Sequence, residues 1–305
     1  MLLLLTVILS CALCSRPFVS AYETRLINKL LLNYDKRIRP VKNSSHAVEV
    51  TIEPQIYSLI DVDELHEILK ILLWLPQGWT DENLSWDPSE WDNITLVNVP
   101  ASELWMPDGY IFNTIEIREA LSLSQIYARV DFNGMVEVDL SKVISVRCPL
   151  DLISFPFDTQ NCSLQFGSWG YQAHQLTHIV RNTFVLVNNQ NSEWDIVSFS
   201  AKKTKTWYKS MHNQSRQFEE IFYTLSIKRK PLYYIVVLVV PSFLIANICL
   251  VGLFTPNSAN GEREEKVTLG LTTLLTMAVV LNIVAGEMPK SSTGLPLLGT
   301  GDTFS

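Results

Sequence analysis

Two cysteines, Cys148 and Cys162, enclose the residues PLDLISFPFDTQN. Thiols at such a spacing can bind a metal, stay free and buried, or close a covalent loop. A zinc site needs more ligands than this pair supplies. Cys11 and Cys14 lie in an N-terminal apolar stretch and Cys249 in a long apolar run, so only one pair belongs to the region between them. One pair downstream of a leader implies a single disulfide made in an oxidising compartment, with two free buried thiols as the alternative. A disulfide across so short a loop contributes roughly 3 kcal/mol by restricting the unfolded chain. Phe155, Pro156, Phe157 and Asp158 place two aromatic rings and a rigid turn at the tip of that lobe, where apolar rings suit docking onto an apolar surface.

A second pattern is a stripe. Thr268, Thr272, Leu275, Val279 and Asn282 fall at helical spacing and share one face. Hydroxyls at one end, large apolar side chains in the middle and an amide at the other end would line a water-filled path with a hydrophobic constriction, which gates by dewetting. Ordinary helix packing through small polar residues is the alternative. Glu262, Glu264 and Glu265 stand just before Lys266. Repeated around an axis, Glu265 would form an acidic ring that admits cations, although an acid there also complements the helix dipole. Glu287 is a second candidate ring. His174 and His178 are four apart, but no third ligand is evident and the region reads as strand and loop, so no metal site is expected. There is no nucleophile–base motif, phosphate loop or metal cluster, which leaves an enzyme or a cofactor without support.

These residues need elements to hold them. The chain has 305 residues, 47% apolar and 18% charged, with a net charge of −7. That balance suits a part-soluble, part-membrane protein and argues against nucleic acid. Residues 1–21 resemble a secretory signal peptide. Five Asn-x-Ser/Thr sequons, at Asn43, Asn83, Asn93, Asn161 and Asn213, all precede the first long apolar run, as in a glycosylated translocated domain. Leu26, Ile27, Leu30 and Leu31 predict a short amphipathic helix over 23–33. From 47 to 230, short segments alternate apolar with polar residues and are separated by turn formers such as Asn133-Gly134, which predicts an all-β sandwich. Residues 231–254 carry no charged side chain and are long enough to span a bilayer; 267–286 form a second uncharged span. The basic flank Lys228-Arg229-Lys230 would place the N-terminal domain in the cytosol by the positive-inside rule. Leader, sequons and cysteine pair oppose that, so the basic triplet is expected to have partners in the domain.

In combination, Trp79-Thr80-Asp81, Trp105-Met106-Pro107-Asp108, the Cys148–Cys162 loop, Gly167-Ser168-Trp169, Pro231-Leu232-Tyr233-Tyr234 and EEKVTLGLTTLLT are specific. Over residues 22–298 the chain resembles the Cys-loop receptors, the pentameric ligand-gated ion channels, in their nicotinic acetylcholine- and serotonin-gated branch, and within it an invertebrate subunit. The resemblance implies an extracellular ligand-binding β-sandwich (22–230) above a transmembrane region (231–305), in a plasma-membrane, synaptic assembly with other subunits of the same family. It implies a small cationic transmitter held between subunits. Trp169 matches the ring that receives the cationic nitrogen, Phe112 stands where a Tyr is usual, Tyr208 (with Trp207 as the alternative) and Phe218 match the capping loop, and Trp74, Arg129 and Glu137 match the complementary face. Trp79, Trp86 and Trp105 are assigned to the core. The capping loop lacks an adjacent cysteine pair and carries Lys209, His212 and Arg216, which points to a non-alpha subunit or a channel for another amine. Arg229 matches a pre-membrane arginine that pairs with acids, with Asp61, Asp63, Glu64 and Asp158 as candidate partners in gating. The absence of a Pro-Ala insertion at Glu264-Glu265-Lys266 implies permeating cations.

The same resemblance predicts four spans. Here a third begins near 295 and the apolar pattern stops at GTGDTFS. A membrane-tethered, non-conducting binding or assembly module that modulates related subunits is therefore the second expectation.

Overall fold

The computed structural model describes residues 19–181, 191–209, 213–254 and 263–286. Twelve strands and three long helices occur among them: α1 (Val19–Leu31), then β1 (Val48–Ile52), β2 (Gln55–Asp63), β3 (Ile68–Thr80), β4 (Leu96–Pro100), β5 (Gly109–Ile111), β6 (Thr114–Glu119), β7 (Tyr127–Asp131), β8 (Met135–Arg147), β9 (Thr159–Ser168), β10 (Leu176–Val180), β11 (Trp194–Lys209) and β12 (Ser215–Arg229). A helical rod follows, α2, made of Leu232–Tyr234, a π-helical turn Ile235–Val239 and Val240–Phe254; the last helix, α3, is Arg263–Gly286.

The strands form two sheets. One runs β10-β1-β3-β8-β7-β4, with β2 pairing along the other half of β3 and β6 along β8; the second runs β11-β12-β9-β5. Period-two alternation explains the sandwich. In β3, Leu69, Ile71, Leu73, Leu75 and Trp79 point into the core, while Trp74 faces outward. Leu164 and Phe166 of β9 and Ile221, Tyr223, Leu225 and Ile227 of β12 meet them from the second sheet. Trp79 and Trp105 are buried edge to face at 5.8 Å, and Trp86 packs against the same core, as the sequence predicts. The Asn133-Gly134 turn joins β7 to β8, and Gly134 has φ +87°, where a Cβ would also run into the Asp81 carbonyl.

The helix α1 begins four residues before the predicted start. Leu26 is fully buried, and Ile27, Leu30 and Leu31 pack on the sandwich. The leader expected over 1–21 falls almost wholly outside the described residues.

Cys148, just after β8, and Cys162, in β9, are joined by a disulfide and are both fully buried. The lobe between them corrects one expectation. Phe157 is exposed, but Phe155 is not on the surface: it is 4% exposed, with its ring 4.9 Å from Tyr234 at the start of α2. The peptide Phe155–Pro156 is cis.

Leu232–Gly252 is the one stretch among the described residues that is long and apolar enough to cross a membrane by itself. In α3 the hydroxyls of Thr268, Thr272, Thr273 and Thr276 dilute the apolar character of a 24-residue helix, and the apolar part runs over Lys266–Asn282. Those hydroxyls are satisfied within the helix where bonds are resolved: Thr272 donates to the Thr268 carbonyl at 2.9 Å, Thr273 to Leu269 at 2.8 Å and Thr276 to Thr272 at 2.8 Å.

Candidate functional site

The second sheet ends in an open cavity of about 500 Å³. Its wall starts at β9. The extended strand brings Gln165 and, at its very end, Ser168 to the cavity lining, then stops at a turn that presents Trp169, 76% exposed. Asp108 fixes that turn. Its carboxylate accepts from the Ser168 hydroxyl at 2.5 Å and from the Gly170 N–H at 2.6 Å, while the Ser168 oxygen accepts from the Tyr171 N–H at 2.9 Å. Phe112 follows β5, anchored by its N–H on the Gln165 carbonyl at 2.8 Å. Its ring lies 5.7 Å from Trp169 and close over Gly167, where a Cβ would come within 2.9 Å of it.

The opposite wall is the β11–β12 hairpin. Register pairs Tyr208 with Arg216 and Thr206 with Phe218. The Tyr208 and Phe218 rings meet edge to face at 6.0 Å. Tyr208, and not the more exposed Trp207, lines the cavity. At its floor is Glu220, 3% exposed, which accepts from the Tyr208 hydroxyl and from the Gln165 amide at 3.0 Å. The bond to Glu220 raises the Tyr208 pKa, so the phenol stays a donor. Lys209 and Arg216 complete the lining. His212 lies outside the described residues.

Thus Trp169, Phe112, Tyr208 and Phe218 converge. Trp74, Arg129 and Glu137 do not join them, because they occupy the outer face of the other sheet. Arg129 and Glu137 border a separate groove of about 250 Å³, with Arg129 3.7 Å from Glu137 and 3.3 Å from Asp139. Two polar members of the cavity lining, Gln165 and Glu220, carry no expectation from sequence, and Asp108, named there only within its motif, holds the Trp169 turn. The adjacent acids Glu219-Glu220 inside an otherwise apolar, alternating strand were the readable signal.

Behind the cavity, Glu219 is also buried. It accepts from the Thr177 hydroxyl at 2.9 Å and the His178 N–H at 3.0 Å, and pairs with Lys203 at 2.8 Å. Burial alone would raise its pKa, but these partners hold it below the usual carboxylate range. The His178 ring packs edge-on against Phe166 at 5.6 Å, and burial pushes its pKa down to about 4. His178 is therefore a neutral part of the packing, and no group of three or more metal-ligating side chains occurs among the described residues.

At the far end of β12, Arg229 is 2% exposed. Its Nε donates to Asp158 Oδ1 at 2.8 Å, its Nη1 to Glu64 Oε1 at 2.7 Å and, more weakly, to the Tyr234 hydroxyl at 3.2 Å. Glu64 and Asp158 are thus partners, as expected. Asp63 is not: its carboxylate pairs with the imidazole of His66 at 2.8 Å, because it ends β2 and faces the turn rather than Arg229. Lys230 pairs with Asp195 at 3.2 Å. Much of the basic flank is therefore neutralised by the β-domain, which removes its force as a topology signal.

In α3 the residues Lys266, Gly270, Thr273, Met277 and Val280 are half-buried, with Leu269 against Gly252 of α2. Thr268, Thr272, Leu275, Val279 and Asn282 are offset from that row by two residues, about 200° around the helix, and are exposed. Glu265 falls in the first turn of α3, and Glu287 lies outside the described residues. All five sequon asparagines, Asn43, Asn83, Asn93, Asn161 and Asn213, are exposed.

Residues 23–231 match the model of the neurotransmitter-gated ion-channel ligand binding domain, and residues 238–300 that of the neurotransmitter-gated ion-channel transmembrane region. The chain belongs to the neurotransmitter-gated ion-channel family. This is a family of ligand-gated channels, not of enzymes. Its relatives include neuronal acetylcholine receptor subunit alpha-6 of Homo sapiens, 34% identical over 92% of this chain and 55% of the relative. Acetylcholine receptor subunit alpha-type des-2 of Caenorhabditis elegans is 31% identical over 91% of this chain and 51% of the relative. Betaine receptor acr-23 of the same organism is 31% identical over 90% of this chain and 54% of the relative. The chain spans about half the length of the relatives it matches.

Proposed function

We propose that this chain is a subunit of a cation-selective, transmitter-gated pentamer, and that a small organic cation binds in the cavity bounded by Trp169, Phe112, Tyr208 and Phe218. The observation that carries the reading is four converging aromatic rings around a buried carboxylate, Glu220. Ring faces attract a desolvated cation by about 2 kcal/mol, Trp most strongly, and a carboxylate at the floor adds a Coulombic term of the same sign. The names of relatives, acetylcholine receptor and betaine receptor, both fit quaternary ammonium ligands.

In this reading the cavity is the principal face of an intersubunit site. Trp74, Arg129 and Glu137 are the complementary face offered to a neighbouring subunit of the same family. Residues 1–21 are a removed leader, 22–230 an extracellular domain carrying glycans at the five sequons, and 231–305 membrane-embedded at the cell surface. The stripe from Thr268 to Asn282, turned away from α2, lines the cation path, with Glu265 at its mouth. Arg229, Glu64, Asp158 and the Phe155-Pro156-Phe157 turn couple the β-domain to α2.

The test is calorimetric titration of the full chain in lipid nanodiscs with choline and with its neutral isostere 3,3-dimethylbutanol. Choline should bind at least about tenfold more tightly, and Trp169→Ala should remove that difference whereas Trp207→Ala should not. Equal binding of charged and neutral forms would sink the cation-site assignment.

A further inference from the structure

Resting on that reading of the cavity, we infer that the ligand it selects is a zwitterion: a compact ammonium against the rings, carrying a carboxylate that Arg216 and Lys209 hold at the mouth. Along β12, Glu220, Phe218 and Arg216 are two residues apart and line the same cavity. Alternate residues of a strand share a face and stand about 7 Å apart. The row therefore runs acid, ring, base from floor to mouth. Glu220 is buried, Phe218 half-buried and Arg216 exposed, so the gradient of charge follows the gradient of solvent access.

Of the hairpin cations without an ion pair among the described residues, Lys202, Lys209, Arg216 and Lys228, only Lys209 and Arg216 line the cavity. Lys203 and Lys205 reach Glu219, Arg229 reaches Asp158 and Glu64, and Lys230 reaches Asp195. Arg216 and Lys209 line the cavity with no ion-pair partner among the described residues. A purely cationic ligand drawn to Trp169 would meet both as like charges. A ligand that also carries a carboxylate turns that repulsion into charge-assisted hydrogen bonds, for which the guanidinium fork of Arg216 is suited. A cavity of about 500 Å³ admits a molecule of this size.

The experiment compares glycine betaine with choline, which share a trimethylammonium group and differ in the carboxylate. Both are titrated calorimetrically into the full chain in nanodiscs, wild type, Arg216→Gln and the Lys209→Gln/Arg216→Gln double variant. The wild type should prefer glycine betaine at least about tenfold. Arg216→Gln should cut that preference severalfold and the double variant abolish it, with choline binding unchanged or tighter. Choline binding as well as glycine betaine to the wild type, in a manner still abolished by Trp169→Ala, would overturn this inference and leave the aromatic site standing. Binding of neither compound would overturn both. An unchanged preference in the double variant, even with altered subunit assembly, would assign the two cations to an interface and end the proposal.

Discussion

The chain builds the same kind of cage twice, at opposite ends of β12. At the lower end the Arg229 guanidinium lies 4.2 Å from the Trp194 ring centroid, 5.0 Å from Phe155 and 5.3 Å from Tyr234, with Asp158 and Glu64 as counter-ions. At the upper end Trp169, Phe112, Tyr208 and Phe218 surround Glu220. Rings and carboxylate are common to both. Exposure separates them: Arg229 is 2% exposed and Trp169 76%. Where the chain supplies its own cation, the cage closes and becomes part of the fold. Where it leaves the ring faces toward solvent, the chemistry is available to a ligand. Glu220 and Arg229 are nine residues apart on one strand paired on both sides, roughly 30 Å of rigid ladder. A movement at the upper cage therefore has a direct mechanical route to the lower one.

The largest effect comes from emptying the closed cage. Arg229→Met leaves Asp158, 1% exposed, buried without its partner. Removing one member of such a pair costs about 3–5 kcal/mol. We expect a fall in the urea midpoint of the purified chain and loss of surface expression. The double variant Arg229→Met/Asp158→Asn should recover a substantial part, since two neutral groups need no counter-charge. A double variant no better than the single one would show that the cage is held by ring packing and not by charge.

Acid tests the wall behind the open cage. Burial holds His178 down at about 4, against an ordinary value near 6.5, and Glu219 does not overcome that. Between these values the unfolded chain takes a proton that the folded chain refuses. The stabilisation is complete above pH 6.5 and is lost as pH falls toward 4, by roughly 3 kcal/mol in all. Glu219, held low by Lys203, Thr177 and the His178 N–H, loses its contribution in the same direction at lower pH. Urea midpoints followed by tryptophan fluorescence across this range should slope downward, and His178→Phe should flatten the portion between 6.5 and 4. A flat wild-type profile would mean that the histidine is not sealed in the folded state.

The closed cage was more legible in the sequence than the open one, for a physical reason. Period-two alternation fixes which strand residues are inward, and Trp79 of β3 obeys it; Trp105 lies in a loop, and its core assignment rests on core being the commoner role of a single aromatic. The basic triplet at 228–230 was an anomaly that demanded partners, and Arg229 found Glu64 and Asp158. Even there, alternation does not say which acid of a turn points inward, so Asp63 was included and instead pairs with His66. Phe155 and Phe157, two apart in an irregular lobe, have no periodicity to rank them; both are expected outside, and Phe155 is buried on Tyr234. In the open cage the rings came from motif resemblance. Glu220 and Gln165 came only from the fold, because a polar residue lining a cavity and one facing bulk solvent read alike until the strands are paired. The stripe on α3 was legible as a face, and packing against α2 shows that it is the face turned away.

Two substitutions sharpen what the open cage owes to charge. Glu220→Gln keeps the shape and most hydrogen-bonding capacity of the floor but removes its charge. At an effective dielectric near 20, a unit charge roughly 10 Å from the ligand contributes about 1–2 kcal/mol. Choline affinity should therefore fall about tenfold while binding of its neutral isostere is unchanged. A uniform loss for both would make Glu220 a structural acid.

Tyr208→Phe is the smallest and most discriminating change. It removes one hydroxyl that donates to Glu220 and leaves the ring, its edge contact with Phe218 and the Gln165 bond in place. A hydrogen bond to a charged group is worth about 1.5–3 kcal/mol when its partner is stranded, but Glu220 borders an open cavity where water can replace the phenol, so about 1 kcal/mol is expected. The sign on ligand binding is the informative part. The phenol at present disperses the negative charge that an ammonium would otherwise meet in full, and it also draws Tyr208, and with it the capping hairpin, down over the floor. If charge dispersal dominates, Tyr208→Phe tightens choline binding a few-fold and leaves the off-rate alone. If hairpin closure dominates, the affinity drops and stopped-flow fluorescence shows a faster off-rate. The geometry favours the second outcome, because Tyr208 on β11 reaches past its register partner Arg216 to Glu220 on β12, so the bond ties the outer end of the hairpin to the cavity floor.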